Sequence, residues 1–432
     1  MMSAITFIGM TVYLMALGRA VSKTWLLALP IGALINTLGI FVLTVIGIPL
    51  EGITNMTANL VVTVLLMISL QPLCKPNNII SPENTNFRIP HRKILLPVCI
   101  AILVSVGVYA ISHALLPTFH YDSVTNWNMR SKISFLEQAI TFDGHDGAIL
   151  KPHYPFAYHA LQITAQQWQV VWSDTYANLS HLILSISSVT AIFILLKKLK
   201  GFDIALVCTA LVLGIPLMTL HAGQSYADIT LVLFALLSLV TFVSRYFILS
   251  ALFVSACVWT KSEGLFFCLL PWLVVIGKTS WDHPELRRYL TKIAGVGMLL
   301  SIPWILFVLL SGMSLTPHGG SDIQLAVNID AVRAMARALF VQGSFGILWY
   351  SLLGTLVMII VFIQRNSDIV DRRYVVSLLW GLLAFVGYIF VYLFTSNTEY
   401  LLLGQSFDRQ MLLPASLLIV SAVLCLSLPK SF

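Results

Sequence analysis

Long apolar runs separated by short polar connectors recur from one end of this chain to the other. A helix that crosses a bilayer needs about 20 apolar residues, and fewer where neighbouring helices shield it from lipid. On that criterion the pattern predicts about thirteen spanning helices, near 2–18, 25–49, 57–73, 94–116, 176–196, 204–221, 226–244, 247–260, 264–277, 293–312, 345–363, 374–395 and 410–428. The run 247–260 is too short to span unaided and another apolar run follows at once, so it and 264–277 are expected to form a tight hairpin. The first run starts almost at Met1 without the basic stretch that opens a secretory signal, its first positive charges being Arg19 and Lys23. That favours a retained spanning helix over a cleaved leader.

Composition narrows the class. Of 432 residues 58% are hydrophobic and only 10% charged, where a soluble domain carries roughly 25% charged residues. A mean hydropathy of +0.90 over the whole length excludes a soluble enzyme on a single anchor, because a soluble domain would dilute the average. The net charge of +7 comes from 25 basic residues scattered among apolar runs, which form no continuous face for a phosphate backbone, so no nucleic-acid partner is expected. The six cysteines, Cys74, Cys99, Cys208, Cys257, Cys268 and Cys425, lie in or beside apolar runs and show no metal-ligand spacing.

Loop charge supplies an independent check, because cytoplasmic loops accumulate Lys and Arg. With the N-terminus outside, one side of the predicted topology receives 18 basic residues and the other 7, together the 25 of the chain. A wrong helix count in the middle would invert every later loop and erase that asymmetry. Acids go the other way: Glu51, Asp122, Glu137, Asp143, Asp146, Asp174, Asp228, Glu263, Asp322, Asp330, Glu399 and Asp408 all fall on the exported side, which is net negative. Two exported loops are long, roughly 117–175 and 313–344, and long loops are usually functional. In the first, a segment with Trp127, Arg130, Ile133, Ser134 and Ile140 suits a short interfacial helix. The glutamine-rich stretch Ala157–Trp172 is too polar to face lipid and is expected to lie in the interface. No soluble domain is expected before or after the membrane core, and no internal repeat stands out.

Four polar clusters return to the same exported face: Tyr121-Asp122 with Trp127 and Lys132; Lys151 to His159; Tyr226-Ala227-Asp228; and Lys261-Ser262-Glu263-Gly264. A fifth, Glu399 through Ser406 with Asp408, Arg409 and Gln410, precedes the last helix. Charges at helix ends are costly, so their convergence on one face is a functional hint. Each cluster also has an ordinary structural reading. Asp122 can turn the chain after Pro117. Asp228 follows Ser225 by three in a capping-box pattern. Lys261 and Glu263 can be a snorkelling pair, Arg409 an interface marker, and Tyr121, Trp127 and Tyr154 belt aromatics. His153 and His159 flank Pro155 without sharing a helical face, so metal ligation is not expected of them.

The order of these elements resembles the GT-C membrane glycosyltransferases, in particular the dolichyl-phosphate-mannose-type and aminoarabinose-transferase-like branches. The resemblance rests on Tyr121-Asp122 opening the first large exported loop, Trp127 and Lys132, the His153-Tyr154-Pro155 element, Tyr226-Ala227-Asp228, Lys261-x-Glu263-Gly264 and Ser406-x-Asp408-Arg409. It covers roughly 94–428, with 1–93 as additional N-terminal membrane helices. The chain departs from the family in having three helices before that loop's leading span, one acid rather than an Asp-Glu pair after it, and no C-terminal soluble domain. The resemblance implies an all-α polytopic enzyme of a bacterial inner membrane or an ER-type membrane, building glycans of the cell envelope type. A polyprenyl-phosphate sugar would be the donor, and a glycan, lipid or protein the acceptor.

The chemistry of the residues agrees. A phosphate leaving group is already a weak base, so one carboxylate and a cationic clamp suffice, without the two carboxylates of glycoside hydrolysis. Asp122 is the expected catalytic base. Arg409, with Lys261 or Lys132, is the expected phosphate clamp, and Tyr121, Trp127, His153, Tyr154, His159, Asp228 and Glu263 are expected to touch substrate. No metal site is expected from the sequence, and a divalent-metal requirement stays open, as do the sugar and the acceptor. Two other readings remain: an envelope polysaccharide ligase or polymerase acting through His318, Arg333 and Arg337, and a lipid-linked sugar transporter or flippase. The near absence of charge inside the spans speaks against a transporter.

Overall fold

The computed structural model describes residues 2–73, 91–149, 151–315, 328–342, 344–365, 370–371 and 374–426. Among these the architecture is all-helical. Helices α1 (Met2–Ser22), α2 (Ala28–Ile46), α3 (Gly52–Leu70) and α4 (Arg92–Ala114) come first. A loop region follows with a π-type turn Ser123–Asn128, α5 (Met129–Glu137) and α6 (Ala157–Thr164). The bundle continues through α7 (Asp174–Lys200), α8 (Phe202–Leu213), α9 (Pro216–His221), α10 (Ala227–Val243) and α11 (Phe247–Thr260). A second π-type segment, Gly264–Leu269, leads into α12 (Leu270–Asp282), and α13 (Arg287–Leu310), α14 (Ile329–Phe340), α15 (Leu348–Gln364), α16 (Val375–Phe394), α17 (Thr398–Leu402) and α18 (Phe407–Cys425) complete the chain.

Among the described residues nine helical segments are long and apolar enough to cross a bilayer, and α8, α10, α11 and α15 are shorter apolar helices. Every one of them overlaps a segment marked out by the apolar runs, with ends that differ by several residues. The short helices α10 and α11 are buried along almost their whole length. A helix wrapped by other helices has no need to match the thickness of the lipid, which is how runs of 17 and 14 residues are accommodated. Helix α4, by contrast, buries little beyond Cys99, Ala110 and Ala114 and turns most of its surface outward. One apolar core runs from Leu14 in α1 to Cys425 in α18. The chain reverses at Lys261–Glu263, so that Trp272 Nε1 donates to Ser250 Oγ at 2.9 Å. Gly264 sits at that reversal because a Cβ there would lie 2.1 Å from the carbonyl oxygen of Cys257.

The polar loop helices depart from expectation. Rather than lying in the interface, α6 is sunk into the top of the bundle, with Tyr158, His159, Gln162 and Thr164 all buried. His159, Gln162 and Thr164 find hydrogen-bond partners within the protein, which offsets the cost of burying them. Gln162 Oε1 accepts from Ser131 Oγ at 2.5 Å while its Nε2 donates to Ser225 Oγ at 2.8 Å. Asn36 Oδ1 in α2 accepts from Thr164 Oγ1, Asn55 Nδ2 and Asn59 Nδ2, tying the N-terminal helices to the loop. Arg130 in α5 is likewise buried, donating to the carbonyls of Thr141 and Tyr154 at 2.9 and 2.7 Å.

Candidate active site

Four stretches far apart in the chain meet around a polar cavity of about 310 Å³ at one end of the bundle. Its wall includes Tyr121, Asp122, Asn126 and Trp127 from the first large loop, Lys151 and Tyr154 beyond α5, Asp228 in the first turn of α10, and Lys261 after α11. Tyr400, Gln405, Ser406, Arg409 and Gln410, around α17 and the start of α18, close it. The opposite end of the bundle holds a separate set of charges, with Arg92 on Asp203 at 2.7 Å and Lys200 near Asp371 at 3.6 Å. Members of polar clusters scattered over some 290 residues of sequence therefore line a single chamber.

Two ion-pair systems define that chamber. In the first, Arg409 Nη1 donates to Asp122 Oδ2, and the guanidinium carbon stands 5.5 Å from the centroid of Tyr226. Asn126 Nδ2 lies 3.5 Å from the other Asp122 oxygen. The expected base and the expected phosphate ligand are therefore hydrogen-bonded to each other. In the second system, Lys261 Nζ donates to Asp228 Oδ1 at 2.9 Å and to Glu263 Oε1 at 2.8 Å, all three side chains being buried. Burial opposes the Lys261 charge, but Asp228 and Glu263 together carry its pKa above the ordinary lysine value. Asp228 Oδ2 and Glu263 Oε2 have no hydrogen-bond partner among the described residues. Asp228 thus lines the cavity with one carboxylate oxygen held by Lys261 and the other buried without a partner among the described residues. It does not cap its helix: Tyr226 is the N-cap of α10 without a side-chain bond, and Ser225 Oγ is turned to Asn178 Oδ1 at 2.7 Å.

An aromatic wall stands beside these charges. Trp127 stacks on Tyr154 at 5.5 Å and 24°, and on its other side on His159 at 5.6 Å and 23°. Burial pushes the Tyr154 phenol well up, so it stays neutral. Burial, reinforced by Arg130, lowers His159 well below its usual range, and the ring's Nδ1 lies 2.8 Å from Ser131 Oγ and 3.1 Å from the Trp127 carbonyl. His159 therefore supports Trp127 from behind and does not reach the cavity. At Lys151 burial lowers the ammonium from its ordinary value, with Asp122 and Glu263 only partly countering it.

Other candidates lie elsewhere. Lys132 is exposed on α5 and does not line the cavity, because Arg130 and Ser131, two and one positions earlier, take the buried face of that helix. His153 is half-buried with its ring edge-on to Tyr154 at 5.3 Å, off the cavity wall, and Glu263 sits behind Lys261. Tyr121 is at the mouth, 71% exposed. Of the residues proposed for a ligase, His318 lies outside the described residues, and Arg333 pairs with Asp330 on the exposed side of α14 at 3.2 Å. Sequence reasoning missed Asn126, for which an isolated polar residue in a long loop gives no signal. Lys151, Tyr400, Gln405, Ser406 and Gln410 stood within the polar clusters without a role of their own. Among the described residues no three His, Cys, Asp or Glu side chains gather as metal ligands would.

No family model and no curated protein sequence matches the chain. Its helical arrangement is similar to that of two solved structures. These are crystal structures of ArnT from Cupriavidus metallidurans, one in the apo state and one bound to undecaprenyl phosphate. They match with TM-scores of 0.50 and 0.52 at 13% sequence identity, over 78% and 76% of this chain. The chain spans 59% and 60% of the length of those two ArnT chains.

Proposed function

We propose that this protein is a glycosyltransferase that moves one sugar from a polyprenyl-phosphate donor to an acceptor hydroxyl at the exported face of the membrane. The observation that carries this reading is the meeting of Asp122 and Arg409, 287 residues apart, in one polar cavity of a GT-C-type fold. The undecaprenyl phosphate bound to the ArnT neighbour supports a lipid-phosphate substrate. A second, apolar cavity of about 200 Å³ between α4, α7 and α10, lined by Leu103, Val106, Ile186, Val189 and Leu233, also reaches Tyr226 under Arg409. A prenyl chain lying there brings its phosphate to the guanidinium.

The chemistry then follows from the two ion-pair systems. A guanidinium fork receives two phosphate oxygens as readily as two carboxylate oxygens, so the donor phosphate takes Asp122's place on Arg409. The freed carboxylate accepts the proton of the acceptor hydroxyl as its oxygen bonds to the anomeric carbon. The bond from that carbon to the phosphate oxygen breaks with its electron pair going to the phosphate, and a single displacement inverts the centre. Trp127 and Tyr154 present ring faces to the sugar, and Asp228, pinned by Lys261, accepts a sugar hydroxyl. We place the active rim on the exported side of a bacterial inner membrane, with thirteen crossings and the N-terminus outside, on the strength of the 18-to-7 loop asymmetry.

The test is equilibrium binding of undecaprenyl phosphate to the purified protein in lipid nanodiscs. Arg409→Lys keeps the charge and loses the fork, and is expected to lose most of the affinity while remaining extractable and monodisperse. Unchanged binding in that variant would sink the assignment of Arg409 and turn attention to Lys261.

A further inference from the structure

The ring face beneath Arg409 belongs to a more extended stack. Tyr226 lies against His221 with centroids 4.0 Å apart and planes 23° from parallel. His120 closes edge-on against both, 5.6 Å from Tyr226 and 6.1 Å from His221. Tyr226, His221 and their immediate chain are fixed from several sides. Gly223 has φ +79°, and a Cβ on it would lie 2.0 Å from the Ala110 carbonyl oxygen, so α4 presses directly on the turn. Gln224 donates to the His113 carbonyl at 2.9 Å and accepts from the Phe119 amide at 3.3 Å. Ser225 is held between Gln162 of α6 and Asn178 of α7 at 2.8 and 2.7 Å. A turn joining two helices is here bonded to four other parts of the molecule, more than simply reversing the chain requires.

We infer that Tyr226, backed by His221, is the positioning residue that keeps Arg409 aimed into the cavity while its hydrogen-bond partner is exchanged. This inference rests on the reading of Arg409 as the phosphate ligand. The guanidinium donates to the Asp122 carboxylate and lies over the Tyr226 ring. Donor phosphate competes for the first. It cannot compete for the second, because a ring face offers nothing that a phosphate oxygen can replace. Without the ring, an arginine leaving its carboxylate regains the rotamer freedom of a long side chain, and part of the phosphate affinity is spent on ordering it again. The stack is an arginine-ring arrangement for which a lysine is a poor substitute.

The experiment is a double-mutant cycle on undecaprenyl phosphate binding in nanodiscs, with thermal unfolding and gel filtration of each variant alongside. Tyr226→Leu is expected to weaken binding about tenfold, in the range of a partly desolvated cation–ring contact. Tyr226→Phe keeps the face and should bind within about twofold of the parent. His221→Leu should fall between them, with His221→Phe restoring most of the loss. In an Arg409→Gln background Tyr226→Leu should cost nothing further. If it still costs about tenfold there, Tyr226 acts through the general fold and the inference is overturned. Parent-like binding by Tyr226→Leu, with Arg409→Gln impaired, overturns the platform and leaves the phosphate assignment standing. Parent-like binding by Arg409→Gln itself removes the phosphate assignment first.

Discussion

Replacing Asp122 with asparagine should move two quantities in opposite directions. The carboxylate is hydrogen-bonded to the guanidinium that a lipid-phosphate donor would need, so donor binding must break an ion pair. The side chains of Arg409 and Asp122 are 26% and 25% exposed. That places the pair between exposed pairs, worth about 0.2–1 kcal/mol, and buried ones, whose rupture costs about 3–5 kcal/mol. An intermediate value of about 1–2 kcal/mol corresponds to roughly fivefold to thirtyfold in an equilibrium constant. The neutral amide would neither compete for Arg409 as the carboxylate does nor repel the phosphate, so Asp122→Asn should bind undecaprenyl phosphate more tightly than the parent by about that factor. Turnover should nevertheless fall by about 10²- to 10⁴-fold, the usual contribution of a positioned base. Equilibrium binding in nanodiscs reads the first change, and transfer of labelled sugar from lipid-linked donors in membranes reads the second. Equal or weaker binding refutes the competition argument. Transfer within about threefold of the parent refutes Asp122 as the base and shifts the role to Asp228 or Glu263.

Other consequences are simpler to state. Lys261→Met leaves Asp228 and Glu263 buried without their cation, and should lower stability by about 3–5 kcal/mol; a thermal unfolding midpoint close to the parent's would refute the view that the three side chains form one buried unit. Single cysteines at Asp143 and Lys197, both in exposed positions, should differ in their reaction with a membrane-impermeant thiol reagent on intact cells. Asp143 should be labelled and Lys197 protected, and the reverse pattern inverts the proposed topology.

The apolar runs by themselves determined where the membrane-length helices lie, because partition into lipid is a local property of about 20 consecutive residues. The expectation that Asp122, Asp228, Lys261 and Arg409 share one end of the helices followed from the same segmentation, since each run that is crossed flips the side of the next loop. That is why the chamber was legible as a set of residues. The pairing within it was not. Asp122 with Arg409, and Lys261 with both Asp228 and Glu263, depend on which helix ends stand next to each other, and nothing in a local run of residues records its neighbours. For the same reason the capping alternative for Asp228 could be set aside only once Tyr226 was found at the N-cap and Ser225 turned to Asn178. Lys132 was expected in the phosphate clamp and Lys151 was given no role, yet the face of α5 taken by Arg130 and Ser131 turns Lys132 to solvent while Lys151 lines the cavity. The glutamine-rich helix α6 shows the limit most clearly. Polarity alone placed it in the interface, whereas Ser131, Ser225 and Asn36 supply the hydrogen bonds that let it sink into the bundle and hold the aromatic wall in place.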